Sequence, residues 1–202
     1  LNRGTLDRSV AHDWFVRFEG AGLDGVIGKP VGSTYAPGER GWVKIKHSRT
    51  CDAVVAGYRM HKDGDGVGSL LLGLHDEDGR LHSVGVASSF KAAQRRELLA
   101  ELTPLVIPPD DMASHPWGEW IRPEAHADGR MPGGPSRWNN GKDLSFTALR
   151  PERVAEVGYE RVDHGRFRHT SRFLRWRPDR DPESCRYDQL EVIPPVELTE
   201  VL

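Results

Sequence analysis

The hydrophobic positions follow different patterns before and after about residue 48. Residues 10–18 hold aromatic side chains at mixed spacing and are followed by glycines, which predicts a helix that ends at Gly20 or Gly22. Residues 23–29 form a short apolar stretch that predicts a buried strand. Residues 42–46 alternate between apolar and basic side chains, which predicts a strand with a basic face.

Short strands separated by turns are predicted in the rest of the chain. The strands are expected at residues 52–60, 69–74, 80–86, 154–162 and 167–175, with turns at 63–66, 76–79 and 163–165. One helix is expected from Phe90 to about Leu102, a long Pro-, Gly- and His-rich loop at 108–136, and a short helix at 188–191. Five short strands with one intervening helix predict a small β-barrel such as an OB-fold.

Composition and charge exclude several classes of protein. The chain has 202 residues, 37% hydrophobic and 29% charged, which is the balance of a globular protein rather than a disordered one. No apolar run reaches the ~20 residues that span a bilayer, so we expect no membrane partner. The two cysteines, Cys51 and Cys185, are expected to be reduced thiols in a cytoplasmic protein.

The charge is unevenly distributed, although the net charge is only −2. Residues 150–180 contain nine arginines and five acidic residues. Planar guanidinium groups suit phosphate oxygens, and the alternative is a solvated basic strand. Lys44 and Lys46 are expected to project from one face of their strand, where like charges repel unless an anion lies between them. The alternative for these lysines is a solvated edge strand.

Three segments carry a resemblance to a known family. Leu-Asp-Gly-Val-Ile-Gly-Lys at 23–29 resembles motif IV of the covalent nucleotidyltransferases, whose usual form is Glu-Gly-x-x-x-Lys. Residues 35–46 resemble motif V, with its two lysines one residue apart, and Arg-Phe-Leu-Arg-Trp-Arg-Pro-Asp-Arg at 172–180 resembles motif VI. In this order, around a barrel-like stretch, they resemble the C-terminal part of an ATP-dependent DNA ligase of the small actinobacterial type.

The resemblance implies a fold and a function. It implies that 1–48 are the C-terminal end of an α+β adenylation (nucleotidyltransferase) domain and that 49–202 are the OB-fold DNA ligase C-terminal domain, mainly β with some α. It implies part of an enzyme that seals nicks in duplex DNA during repair, replication and recombination, with ATP as co-substrate and Mg²⁺ (or Mn²⁺) as cofactor. Motif VI is expected to orient the leaving pyrophosphate.

The resemblance also implies site residues. Asp24 is the expected metal ligand, although the family usually has glutamate there and the alternative is a turn residue before Gly25. The residues expected to bind nucleotide or phosphate are Lys29, Lys44, Lys46, Arg172, Arg175, Arg177 and Arg180. Arg180 stands where the family usually has lysine. The Asp63–Gly66 run lacks the other ligands of a calcium loop, so we expect a hairpin turn there.

The nucleophilic lysine of the family, in Lys-x-Asp-Gly, has no counterpart among the six lysines of the chain. Lys62 comes nearest, but Asp63 and Gly64 follow it one position too early. We therefore expect that this chain alone does not self-adenylylate. Because the sequence begins at Leu1 within the pattern of a domain, we expect a fragment or split gene product whose N-terminal adenylation half is either lost or supplied as a separate fragment.

Two other functions are compatible with the residues. One is a non-catalytic OB-fold module that binds DNA through phosphate contacts. The other is an RNA ligase or an RNA-capping nucleotidyltransferase, which shares the same motifs.

Overall fold

A computed structural model describes residues 4–118, 145–191 and 193. The chain divides into two compact units, each considered by itself below. The first contains the chain up to Ser48 and resumes at Glu191, and the second is Arg49–Leu190. Most of the loop predicted at 108–136 lies outside the described residues.

The first unit contains one helix and a two-stranded ribbon. Helix α1 (Arg8–Arg17) begins where the Asp7 side chain accepts a hydrogen bond from the backbone N–H of Ser9, an N-cap that satisfies an otherwise unpaired donor. Strands β1 (Gly25–Gly28) and β2 (Val43–Lys46) pair antiparallel. The sequence predicted that the first strand is buried, and this prediction is wrong, since Ile27 is 53% exposed. A two-stranded ribbon needs another layer to cover its apolar face.

The second unit is built on a five-stranded antiparallel sheet. Its strands are β3 (Arg49–Met60), β4 (Val67–His75), β5 (Leu81–Ser88), β6 (Thr147–Tyr159) and β9 (Arg172–Trp176). The strand order is β5-β4-β3-β6-β9, and helix α2 (Ala92–Leu102) follows β5 in the chain.

The two edge strands of this sheet meet. A parallel bridge joins Ala87 to Ser171, and the Ser171 backbone N–H donates to the Val86 carbonyl oxygen at 2.8 Å. This contact closes the sheet into a five-stranded barrel with a helix between its third and fourth strands, which is the OB-fold. The predicted fold class, mainly β with some α, is confirmed.

The second half of the barrel differs from the predicted elements. Strand β6 begins at Thr147, before the predicted residue 154, because it continues along β3 past a register shift between Val55 and Gly57. The last strand begins at Arg172 rather than 167, because a hairpin of β7 (Val162–Asp163) and β8 (Arg166–Phe167) precedes it. The helix predicted at 188–191 is a short 3-10 helix, Tyr187–Gln189.

The core of the second unit is continuous. Leu70, Leu71 and Leu72 are all fully buried, so both faces of β4 are covered, and α2 packs against this strand. Trp117, in the segment after α2, is also buried, and its indole N–H donates to the Leu81 carbonyl oxygen at 2.8 Å. In the part of the chain that the structure describes, no helix is long and apolar enough to cross a membrane.

Candidate functional site

An ion cluster lies at one end of the ribbon in the first unit. Lys44 Nζ is 2.8 Å from Asp24 Oδ2, and Lys46 Nζ is 3.8 Å from the same oxygen. Strand pairing explains the arrangement, because Gly25 lies opposite Lys46 and thereby places Asp24 beside both lysines. The two ammonium groups point to one face, as the alternation predicted. The anion between the two ammonium groups is the Asp24 carboxylate.

Lys44 also determines the charge state of the cluster. Its hydrogen bond lowers the pKa of Asp24 below the usual value, more than partial burial raises it, so the carboxylate is ionised at neutral pH. Two ammonium groups and one carboxylate leave a net charge of +1. The Asp24 and Lys44 side chains are each 45% exposed, so the cluster is open to an anion from solvent.

Gly25 is required for this geometry. Its φ is +146°, and a Cβ at this position would collide with the Ile45 carbonyl oxygen on the neighbouring strand. The Asp-Gly pair of the sequence therefore has a structural reason: the glycine allows the two backbones to approach, and the aspartate reaches the lysines from the start of β1.

Lys29 lies at the other end of the ribbon. Gly28, the last residue of β1, pairs with Val43, the first residue of β2, so Lys29 and Asp24 are separated by the length of β1, roughly 10 Å or more. Lys29 Nζ lies 4.1 Å from the centre of the Trp42 ring, a cation–π contact. The structure thus brings two of the three predicted lysines together with Asp24.

The arginines of 172–180 lie in the second unit, in two environments. Arg172 and Arg175 are exposed on β9. The Arg175 side chain is 62% exposed, and its Nε lies 2.7 Å from Glu156 Oε2. Because both arginine side chains are exposed, both guanidinium groups are accessible to a phosphate.

Arg177 and Arg180 surround the side chain of Asp52 on β3. Arg177 Nη1 donates to both Asp52 carboxylate oxygens at 3.1 and 2.9 Å, and its Nε and Nη2 donate to Asp179. Arg180 Nε lies 3.7 Å from Asp52 Oδ2. Hydrogen bonding to Arg177 lowers the pKa of Asp179 to about 2. The two predicted phosphate ligands are therefore held by carboxylates of their own unit.

Sequence reasoning missed Asp52 and Gln189. The Gln189 side chain accepts from the Asp52 backbone N–H at 2.8 Å and donates to its carbonyl oxygen at 2.9 Å. Asp52 and Arg177 are far apart in the chain and become neighbours only through the pairing of β3, β6 and β9. No local pattern could have identified this partner.

A third group of polar side chains lies on the connection between β3 and β4. His61, Asp63 and Asp65 offer ligand atoms within 4.8 Å of one another. Arg95 of α2 already places Nη1 2.8 Å from His61 Nδ1 and 3.1 Å from Asp65 Oδ1. The guanidinium supplies the positive charge there, and the segment connects β3 to β4 as the predicted hairpin turn.

Comparison with known proteins shows the family. The family model described as "ATP dependent DNA ligase C terminal region" matches residues 63–180, more than half of the chain. DNA ligase C of Mycobacterium tuberculosis is 58% identical over 202 residues, 98% of this chain and 54% of that protein. DNA ligase C2 of Mycolicibacterium smegmatis is 56% identical over 198 residues, 96% of this chain and 54% of that protein.

A solved structure is also similar. The crystal structure of the ligase domain from M. tuberculosis LigD has 30% sequence identity and a TM-score of 0.49, and the match covers 85% of this chain and 50% of that one. This chain spans about half the length of the curated relatives it matches. On the family match, the chain belongs to the ATP-dependent DNA ligases and contains their C-terminal region.

Proposed function

We propose that this chain is the C-terminal part of an ATP-dependent enzyme that seals nicks in duplex DNA. In this proposal, 1–48 are the end of the adenylation domain and 49–202 the OB-fold domain that grips the DNA. The observation that carries the proposal is the exposed cluster of Asp24, Lys44 and Lys46, which has a net positive charge and the side-chain types of two nucleotidyltransferase motifs. The family match favours this function over an RNA ligase or a capping enzyme.

The lysines of the cluster would exchange one anion for another. Transfer of an adenylyl group needs positioning and charge neutralisation more than covalent help from these residues. A nucleotide phosphate that enters the cluster offers Lys44 and Lys46 an oxygen partner in place of Asp24. Lys29, at the other end of the ribbon, would contribute a further positive charge.

A divalent metal, Mg²⁺ or Mn²⁺, fits the donors present. Mg²⁺ is usually bound through one or two carboxylates together with substrate phosphates and water. Asp24 provides one ionised and partly exposed carboxylate directly beside the two proposed phosphate ligands. When bound, such an ion neutralises charge on the phosphate, while the lysines hold the other oxygens.

The arginines of the second unit would supply further phosphate contacts. Arg172 and Arg175 are exposed on β9 and suit nucleotide or DNA phosphates, because guanidinium groups bind phosphate oxygens in pairs. Arg177 and Arg180, held at Asp52, would act from a fixed position.

The proposal includes a partner half that carries Lys-x-Asp-Gly. The first unit exposes many apolar side chains, as expected of a face that another layer covers: Val16, Leu23, Ile27, Val31, Tyr35, Val43 and Ile45. A cytoplasmic location is part of the proposal and accords with two buried free cysteines.

Nick sealing by the chain joined to an adenylating half tests the proposal. Lys44→Met and Lys46→Met should each lower the sealing rate about tenfold or more, since each removes a phosphate contact. Lys62→Met, at an exposed lysine outside the cluster, is the matched control and should seal like the unsubstituted protein. Should the joined protein bind nicked DNA without sealing it, the chain is instead the non-catalytic binding module.

A further inference from the structure

A carboxylate on the barrel anchors the arginine-rich segment. The Asp52 side chain is 13% exposed and lies between Arg177 and Arg180. Its backbone is fixed as well, because Gln189 binds both its N–H and its carbonyl oxygen. The anchor is thus held on both sides, by the strand and by the chain that follows the arginines.

Asp52 is also part of a row of opposite charges. It pairs across the sheet with Glu156, which pairs in turn with Arg175 on β9. Two carboxylates opposite each other on neighbouring strands repel unless cations lie beside them. Arg175 contacts Glu156, and Arg177 contacts Asp52 with Arg180 nearby, so each carboxylate has at least one guanidinium beside it.

The two carboxylates that hold Arg177 differ in rigidity. Asp179 is 62% exposed and lies two residues from Arg177 on the same turn, so it moves with the arginine. Asp52 belongs to a different strand and is largely buried. Without the Asp52 charge, Arg177 would keep its bidentate pair with Asp179 but would lose the contact of Nη1 with both Asp52 oxygens, which fixes the guanidinium relative to the barrel.

We propose that Asp52 is a positioning residue for the phosphate contacts of this segment: it holds Arg177 directly, and Arg180 through charge, in the place from which they orient the pyrophosphate that leaves ATP. This inference rests on the proposed function. Pyrophosphate is present only when the protein reacts with ATP. Loss of Asp52 should therefore affect self-adenylylation but not the sealing of a nick that already carries AMP.

The experiment compares these two steps in the complete protein, in which this chain is joined to its adenylating half. Asp52→Asn should lower the rate of self-adenylylation about tenfold or more, because small misplacements of a catalytic group have large effects on rate. Sealing of a pre-adenylylated nick should stay within about twofold of the unsubstituted rate. Asp52→Glu, which keeps the charge and lengthens the side chain by one methylene, should fold and should also slow the first step.

The control is Glu152→Gln. Glu152 Oε1 lies 2.7 Å from Arg150 Nε on the same sheet, so this variant also removes a carboxylate from a salt bridge with arginine, but it should change neither step. Circular dichroism checks that each variant is folded. If Asp52→Asn does not fold, the rates of Asp52→Glu test the role of Asp52 instead. An unchanged rate of self-adenylylation, or an equal fall in both steps, would overturn the role of Asp52. If the unsubstituted complete protein takes up no AMP, the proposed function fails, and this inference fails with it.

Discussion

At the scale of single residues, most charged side chains of the two candidate clusters are neutralised by a neighbour. Asp24 holds two lysines and Asp52 holds two arginines. The two clusters differ in exposure: the lysine cluster is open to solvent, whereas Asp52 is largely buried. An exposed pair can exchange partners at little cost, but separating a buried pair leaves an uncompensated charge. The lysines are therefore suited to exchanging ligands, and Arg177 to a fixed position.

The two cysteines give a prediction about reactivity. Burial raises the pKa of Cys51 to about 12 and that of Cys185 to about 11. Because the thiolate is the reactive form, both should react slowly with a thiol reagent in the folded protein at about pH 8. In urea both should react at the rate of a free thiol. Rapid labelling of either cysteine without denaturant would refute the burial that the structure assigns.

His115 gives a prediction about pH. Its Nε2 bonds to the Ala56 carbonyl oxygen and its Nδ1 accepts the Trp117 N–H, so the neutral ring is bound at both nitrogens. Burial lowers the pKa of His115 below its usual value of 6.5. Since the folded pKa is the lower one, this contribution to stability is present above about pH 6.5 and is lost as the pH falls through the folded pKa.

Urea unfolding at two pH values measures the effect. The unsubstituted chain should lose more stability between about pH 7.5 and pH 5.5 than His115→Gln, whose amide does not titrate. Equal losses in the two proteins would show that His115 is not the group responsible.

At the scale of elements, the sequence predicted best where the pattern was local. Strands β3 to β5 alternate with tight turns, and β2 carries its two lysines on one face. The start of β6 was missed because its pairing continues past a register shift, and Pro151 interrupts the pattern there. For the candidate site, the sequence named Asp24, the lysines and the arginines. It did not show that Asp24 contacts the lysines or that Asp52 contacts the arginines, because both contacts depend on strand pairing between distant segments.

Trp117 gives a prediction about the segment after α2. The sequence predicted a loop there, but the Trp117 side chain is part of the core. Its side chain is 1% exposed and bonds to the Leu81 carbonyl oxygen. Trp117→Ala should lower the free energy of unfolding by about 3–5 kcal/mol, measured by urea denaturation. Trp42→Ala, at a tryptophan that is 42% exposed in the first unit, is the control. A loss no larger than that of the control would mean that residue 117 does not belong to the core.

At the scale of the whole molecule, the two units differ in whether they bury enough surface to fold independently. The second has a closed barrel and a continuous buried core, as expected of a unit that folds by itself. The first has a helix without buried residues and a ribbon with exposed apolar side chains. A segment of this size buries too little surface for independent stability. This is consistent with a chain that spans about half the length of its relatives.

Incubation with labelled ATP and Mg²⁺, followed by a denaturing gel and a nick-sealing assay, tests whether this chain needs a Lys-x-Asp-Gly half in order to act. The chain alone, the adenylating half alone and the two together are compared. We expect no covalent label on this chain and no sealing by it alone, but sealing when the Lys-x-Asp-Gly half is added. Covalent label on the isolated chain would show that it carries its own nucleophile, and no sealing by the combination would show that the chain is not the C-terminal part of a nick-sealing enzyme.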